Sequence, residues 1–135
     1  MPGDTAFLTI VLIADNNDDH YLPMEEMLLQ EGYVVERVRS SEDAMLRCAA
    51  HPPVHIALVD ASLPGKNGHL ITQQSRPAGQ PPLTFVFMSG FSFAAVSLAL
   101  AWGCREFLSK PVGREELLAV VKKWSHAGMQ AQSET

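Results

Sequence analysis

Cysteine is nearly missing from this 135-residue sequence: Cys48 and Cys104 are the only two, and their spacing is not that of a metal site. A disulfide-stapled scaffold is therefore not expected, and both thiols read as small buried hydrophobes in a reducing environment. Positive charge is also short, with 10 Lys and Arg against 15 Asp and Glu, a net charge of −5. Nucleic-acid recognition needs a basic face to neutralise phosphates, so this domain is not expected to make such contacts. No long apolar run is present either. The stretch over residues 7–14 is too short to span a bilayer, follows Asp4 rather than a basic region, and stops at Asp15. A membrane or export role is thus not expected, and the reading is cytoplasmic. His20, His51, His55, His69 and His126 are scattered without metal spacing and read as surface or loop residues.

What remains is an ordinary globular composition, 47% hydrophobic and 19% charged, in a chain long enough to bury a core without staples. Residues 9–14, 33–38, 54–59, 83–88 and 104–108 read as five short strands, the second more polar and so nearer a sheet edge. Helical signals alternate with them. Met24, Met27, Leu28 and Glu31 keep helical spacing, with Pro23 in a first turn and Gly32 as a stop. Ser40 with Asp43 resembles a capping box for a helix through Ala50. A short helix is expected over residues 69–75, a fourth over 92–102, and a last one carrying Leu117, Leu118, Val121 and Trp124. The expected division is an extension over 1–8, one domain over 9–125 and a fraying polar tail over 126–135. Strands alternating with helices predict a doubly wound, five-stranded parallel α/β sheet with helices on both faces.

In such sheets ligands gather beyond the carboxyl ends of the strands. Asp15, Asp60, Ser89 and Lys110 each fall at the end of a different predicted strand. Singly, each could be a cap or a solvated side chain. Together, two carboxylates, a hydroxyl and an ammonium suit a divalent cation and a phosphoryl group, and their oxygens suit Mg²⁺. In that pocket Asp60 is the candidate nucleophile, forming an aspartyl phosphate, while Lys110 and Mg²⁺ neutralise the phosphoryl oxygens and Ser89 hydrogen-bonds one of them.

The chain resembles the receiver domain of two-component response regulators. The resemblance covers roughly residues 9–124 and is carried by the acidic loop after the first strand, Asp60-x-x-Leu63-Pro64-Gly65-x-Asn67-Gly68, Met88-Ser89-Gly90 and Lys110-Pro111. It implies a flavodoxin-like sheet of order 2-1-3-4-5, often with a cis Lys110–Pro111 bond. It also implies Asp60 as phosphoacceptor, Ser89 as switch hydroxyl and Lys110 as the phosphate-facing lysine. Asp15, Asn16, Asp60 and the Ser62 backbone carbonyl are the implied holders of Mg²⁺. The implied phosphodonor is a sensor histidine kinase or a histidine phosphotransfer protein, in bacterial signalling. The chain would catalyse only its own phosphorylation and turn over no external substrate.

Two positions depart from the family pattern. Asn16 stands where a second acid is usual; its amide oxygen can ligate but carries no charge, so weaker Mg²⁺ binding is expected. Phe107 stands where many receivers carry a switching tyrosine, so any switch there works through packing. The uncharged stretch over 92–102 suggests a partner surface with Phe91, Phe93 and Trp102 as anchors. Its use would be homodimerisation or effector docking through the fourth helix, fifth strand and fifth helix. A degenerate, phosphorylation-independent receiver is the alternative function. An aspartyl-phosphate phosphatase of the haloacid dehalogenase type ranks low because Ser62 replaces its second acid. A flavodoxin ranks lower still, because the loop that would cradle FMN phosphate is acidic. With no effector domain expected after Trp124, the reading is a stand-alone receiver or a fragment of a longer regulator.

Overall fold

A computed structural model describes residues 9–50, 52–61, 63, 83–90 and 106–133. Residues 1–8, the expected helices over 69–75 and 92–102, Ser62, Phe91, Phe93, Trp102 and Cys104 lie outside them. Among the described residues the chain runs β1 (Ile10–Ala14), α1 (Asp18–Gln30), β2 (Val34–Val38), α2 (Ser41–Ala49), β3 (Ile56–Asp60), β4 (Thr84–Ser89) and β5 (Glu106–Ser109), then a C-terminal helix (Arg114–Ser133). The strands form one parallel sheet in the order β2-β1-β3-β4-β5, as the sequence resemblance implied. The polar β2 lies at an edge.

Every residue of β1 and β3 is buried, which is why their sequences are continuous apolar runs rather than alternations. Successive side chains still face opposite ways. Leu12, Ala14, Ala57, Val59, Phe85 and Phe87 pack with Ala44 and Cys48 of α2 on one face. Val11, Ile13, Ile56, Leu58, Val86 and Met88 pack on the other with Tyr21, Met24 and Leu28 of α1 and Leu117 and Val121 of the C-terminal helix. The sheet is thereby covered on both sides. No helix among the described residues is long and apolar enough to cross a membrane.

Helix ends follow local chemistry. The Ser40 hydroxyl accepts the Asp43 N–H at 3.2 Å, as the capping signal predicts. At the end of α1 the Gly32 N–H donates to the Leu29 carbonyl and the Tyr33 N–H to the Leu28 carbonyl, a Schellman closure. Gly32 takes φ +86°, where a β-carbon is strained.

Two expectations need correction. Pro23 is not in a first turn: the Asn17 side chain accepts the Asp19 N–H and starts α1 at Asp18, so Pro23 falls a turn later. Its missing N–H leaves the carbonyl of exposed Asp19 to solvent. The C-terminal helix also continues to Ser133, past the boundary expected at residue 125. Ala127, Met129, Gln130, Ala131 and Gln132 are good helix formers, and no proline interrupts them.

Candidate functional site

The parallel sheet brings every strand's carboxyl end to one edge, and among the described residues the charged side chains of Asp15, Asp60 and Lys110 meet there. Asp60 closes β3, Asp15 follows β1 and Lys110 follows β5. The Lys110 ammonium stands 2.5 Å from Asp60 Oδ2 and 3.4 Å from Asp15 Oδ2. Asp15 is fully buried and Asp60 is 4% exposed, while the Lys110 side chain keeps 19% of its surface. Lys110 is shared between two buried carboxylates, which at that depth need partners of opposite charge.

Backbone contacts hold this geometry. The Lys110 N–H donates to the Ser89 carbonyl at 2.7 Å, tying the end of β5 to that of β4, and the Lys110–Pro111 bond is cis, as the resemblance implied. The Ala61 N–H donates to the Met88 carbonyl, and the Leu63 N–H turns back to the Asp60 carbonyl. Asp60 is thus fixed at a strand end that immediately becomes a turn. Asp15 Oδ1 accepts the Asn17 N–H at 2.9 Å.

The remaining candidates are placed differently. The Ser89 hydroxyl donates to the Gly90 carbonyl at 2.8 Å and is not part of the carboxylate–ammonium contact. Asn16 is exposed. Phe107 is half-buried and packs against the α2-side core. Asp18 does not turn into the cleft; Arg37 and Arg39 pair with it at 2.7 and 3.4 Å.

Two site residues escaped the sequence reading. His20, expected on the surface, is largely buried, and its Nδ1 lies 2.5 Å from Asp15 Oδ2. The third position of a capped helix reaches back past its cap, so the five-residue offset from Asp15 was a usable signal. Arg37 of β2 donates from Nε to the Asp15 carbonyl at 3.0 Å, and its guanidinium lies 4.2 Å from the centre of the Tyr21 ring. Because that contact joins neighbouring strands, nothing local to residue 37 announces it.

Arg37 also holds the Asp18 carboxyl below its ordinary range, chiefly through their hydrogen bond. Burial, helped by Glu25, pushes the Tyr21 phenol up. A depressed carboxylate contributes stability above its unfolded pKa and loses that contribution as pH falls through its folded pKa. Asp18→Asn is therefore expected to flatten the acid limb of a plot of Tm against pH. The Asp18 carboxylate is exposed, so salt should shrink the difference.

Hard carboxylate oxygens at this cleft fit a small divalent cation, which Asp15 and Asp60 would hold. Among the described residues no three carboxylate, imidazole or thiol groups already converge on one point. The Lys110 ammonium instead makes the link between Asp15 and Asp60.

Comparison with known proteins gives the family and the fold. The family described as the response regulator receiver domain matches residues 11–122. A sensor histidine kinase, GacS of Pseudomonas protegens, is 27% identical over 127 residues, which cover 90% of this chain but 14% of that protein. The chain therefore corresponds to about one-seventh of that curated relative's length. The receiver domain of a sensor histidine kinase from Pseudomonas aeruginosa, solved with a magnesium ion coordinated in its active-site cleft, has a TM-score of 0.76 at 23% identity, covering 88% of this chain and 98% of that one. A receiver domain from Saccharomyces cerevisiae, co-crystallised with a histidine phosphotransfer signalling protein, has a TM-score of 0.76 at 20% identity, covering 88% and 90%.

Proposed function

The chain belongs to the response regulator receiver domain family, and from that membership we propose that it accepts a phosphoryl group on Asp60 in a cation-assisted reaction that switches a protein-binding surface. The observation carrying this reading is the Lys110 ammonium in contact with Asp60 and Asp15, two buried carboxylates from separate strands.

The proposed donor is a phosphohistidine on a sensor histidine kinase or histidine phosphotransfer protein, encountered in the cytoplasm. The kinase relative and the phosphotransfer complex of a structural neighbour support that choice. An Asp60 oxygen attacks phosphorus in line; an O–P bond forms, the donor's N–P bond breaks, and its electron pair stays on the imidazole nitrogen. Lys110 exchanges its contact with Asp60 for one with a phosphoryl oxygen, and the Ser89 hydroxyl turns from the Gly90 carbonyl toward another. Asp15 and Asp60, with Asn16 and the Ser62 carbonyl as further oxygen donors, would hold Mg²⁺, which when bound would supply charge neutralisation at the phosphoryl group. The chain modifies itself and turns over no external substrate.

Incubation with acetyl phosphate and Mg²⁺ tests this reading. The expected result is a mass gain of one phosphoryl group that is absent in Asp60→Ala and after chelation. No gain in the wild-type chain would overturn it in favour of a phosphorylation-independent interaction module.

A further inference from the structure

We propose that Arg37 is a positioning residue for the phosphoryl-accepting cleft: from edge strand β2 it clamps the main chain of Asp15 and so sets where that carboxylate meets Asp60 and Lys110. The inference rests on the phosphorylation reading and adds to it a residue that lies outside the constellation at the strand ends.

Arg37 is out of place for its strand position. Val35 and Arg37 are two residues apart and share a face of the sheet. Val35 packs against the α1-side core, and Arg37 is in register with Ile13 of that same core. A guanidinium there, charged at every working pH, needs partners. Its Nε donates to the Asp15 carbonyl at 3.0 Å, its Nη1 lies 2.7 Å from Asp18 Oδ1, and the group stands 4.2 Å from the centre of the buried Tyr21 ring. The side chain is 14% exposed, and among the described residues Nη2 is buried without a hydrogen-bond partner. An unpaired buried donor costs stability, and such costs collect where placement matters more than stability.

The clamp acts where the sheet no longer can. Between β1 and β2 the Val34 N–H donates to the Thr9 carbonyl, and the Asp15 N–H donates to the carbonyl of Val38, the last residue of β2. Acceptors on one strand of a parallel ladder recur every second residue, which puts the Asp15 carbonyl in line with that of Thr9. By then β2 has ended, and Ser40 caps α2. Arg37 Nε supplies the donor that the strand does not. Asp15 Oδ1 accepts the Asn17 N–H at 2.9 Å, so the N–H, carbonyl and Oδ1 of Asp15 are all held, and Oδ2 faces the Lys110 ammonium at 3.4 Å. Releasing the carbonyl frees the peptide plane between Asp15 and Asn16, and with it the direction of the carboxylate.

Backbone hydrogen exchange in chelator, without a phosphodonor, tests the clamp directly. Arg37→Met keeps most of the stem and removes every donor. Arg37→Lys keeps the charge beside Asp18 but places a methylene where Nε–H stood. In both, the Asp15 amide should exchange at least roughly tenfold faster than in the wild type, the scale of one hydrogen bond from a charged donor. The Val34 and His55 amides, bonded to Thr9 and Ile10 at the other end of β1, should change by less than about threefold. Phosphorylation by acetyl phosphate with Mg²⁺, measured where each variant is folded, should slow by about 10–100-fold, as small misplacements of reacting groups do. If Arg37→Met does not fold, Arg37→Lys carries both readouts. Equal acceleration at Asp15, Val34 and His55 would show a general loss of stability. An Asp15 amide unchanged in exchange would show that the carbonyl is held without Arg37. Wild-type behaviour of Arg37→Lys would show that charge matters and the Nε contact does not. Each of these overturns the proposal, as does wild-type phosphorylation in a variant whose Asp15 amide alone is loosened. Failure of the phosphorylation reading is distinct: the wild-type chain then gains no mass, and exchange alone decides whether Arg37 holds Asp15.

Discussion

Lys110→Met is expected to separate two properties of the cleft, strengthening divalent-cation binding while sharply slowing phosphoryl acceptance. The substitution keeps most of the alkyl stem and removes the charge that stands 2.5 Å from Asp60 and 3.4 Å from Asp15. Without it, two carboxylates, one fully buried and one 4% exposed, have lost their shared cation. Removing one partner of a buried ion pair costs about 3–5 kcal/mol. Here the lower end applies, because Lys110 retains 19% exposure and water can reach the vacated position. Urea denaturation in chelator should show that loss. Added Mg²⁺ should then raise the midpoint more in the variant than in the wild type, since a ligand stabilises by its affinity for the folded state and no longer competes with an ammonium for the same oxygens. Phosphorylation by acetyl phosphate should fall by roughly 10²–10³, the usual consequence of losing one preorganised charge at developing negative oxygens. A variant that binds Mg²⁺ no better than the wild type would show that lysine and metal do not share the carboxylates. One that still accepts phosphate at the wild-type rate would remove Lys110 from the chemistry.

The pattern of what the sequence disclosed has a physical cause. Asp15 and Asp60 could be found because a parallel sheet buries its strands on both faces, and the first polar residue after an apolar run marks the strand's carboxyl end; Lys110 follows one residue later, after Ser109. Four such ends fall at one edge by topology alone, before any contact is known. The turn at Gly32 and the cap at Ser40 are local chemistry and were equally visible. His20 and Arg37 were not, because their roles depend on the angle at which α1 leaves its cap and on β2 lying beside β1. A scattered histidine and an edge-strand arginine look like surface residues until those placements are known. Pro23 was misplaced for a related reason: proline favours a helix start, and the full turn that precedes it is fixed by Asn17 acting as the cap. Residues that act through tertiary contacts thus carry the information that periodicity cannot hold.

Phe87→Ala should produce the largest loss of stability in the described core, about 3–5 kcal/mol, seen as a fall in Tm of about 10–20 °C. Phe87 is the largest of the fully buried side chains, on a strand paired on both sides, in register with Val59 of β3 and Phe107 of β5. It packs with Leu12, Val59 and Phe85 beneath α2. Hydrogen-bonded neighbours on both sides hold β4 in place, so the sheet cannot collapse into the space left by a phenyl ring. The penalty includes that cavity as well as the lost transfer free energy. A domain of this size is stable by about 5–15 kcal/mol, so the substitution removes a large fraction without abolishing folding. The half-buried Phe107, on the edge strand of the same layer, should cost less when truncated, because solvent can relax into its site. Below its own midpoint Phe87→Ala should still be phosphorylated on Asp60, since the ring packs in the α2-side layer while Asp15, Asp60 and Lys110 meet at the strand ends. A loss below about 1 kcal/mol in urea denaturation would mean that the α2-side layer repacks freely. Loss of phosphoryl acceptance in a variant that remains folded would mean that the core beneath β4 sets the position of Asp60 as directly as the strand-end hydrogen bonds do.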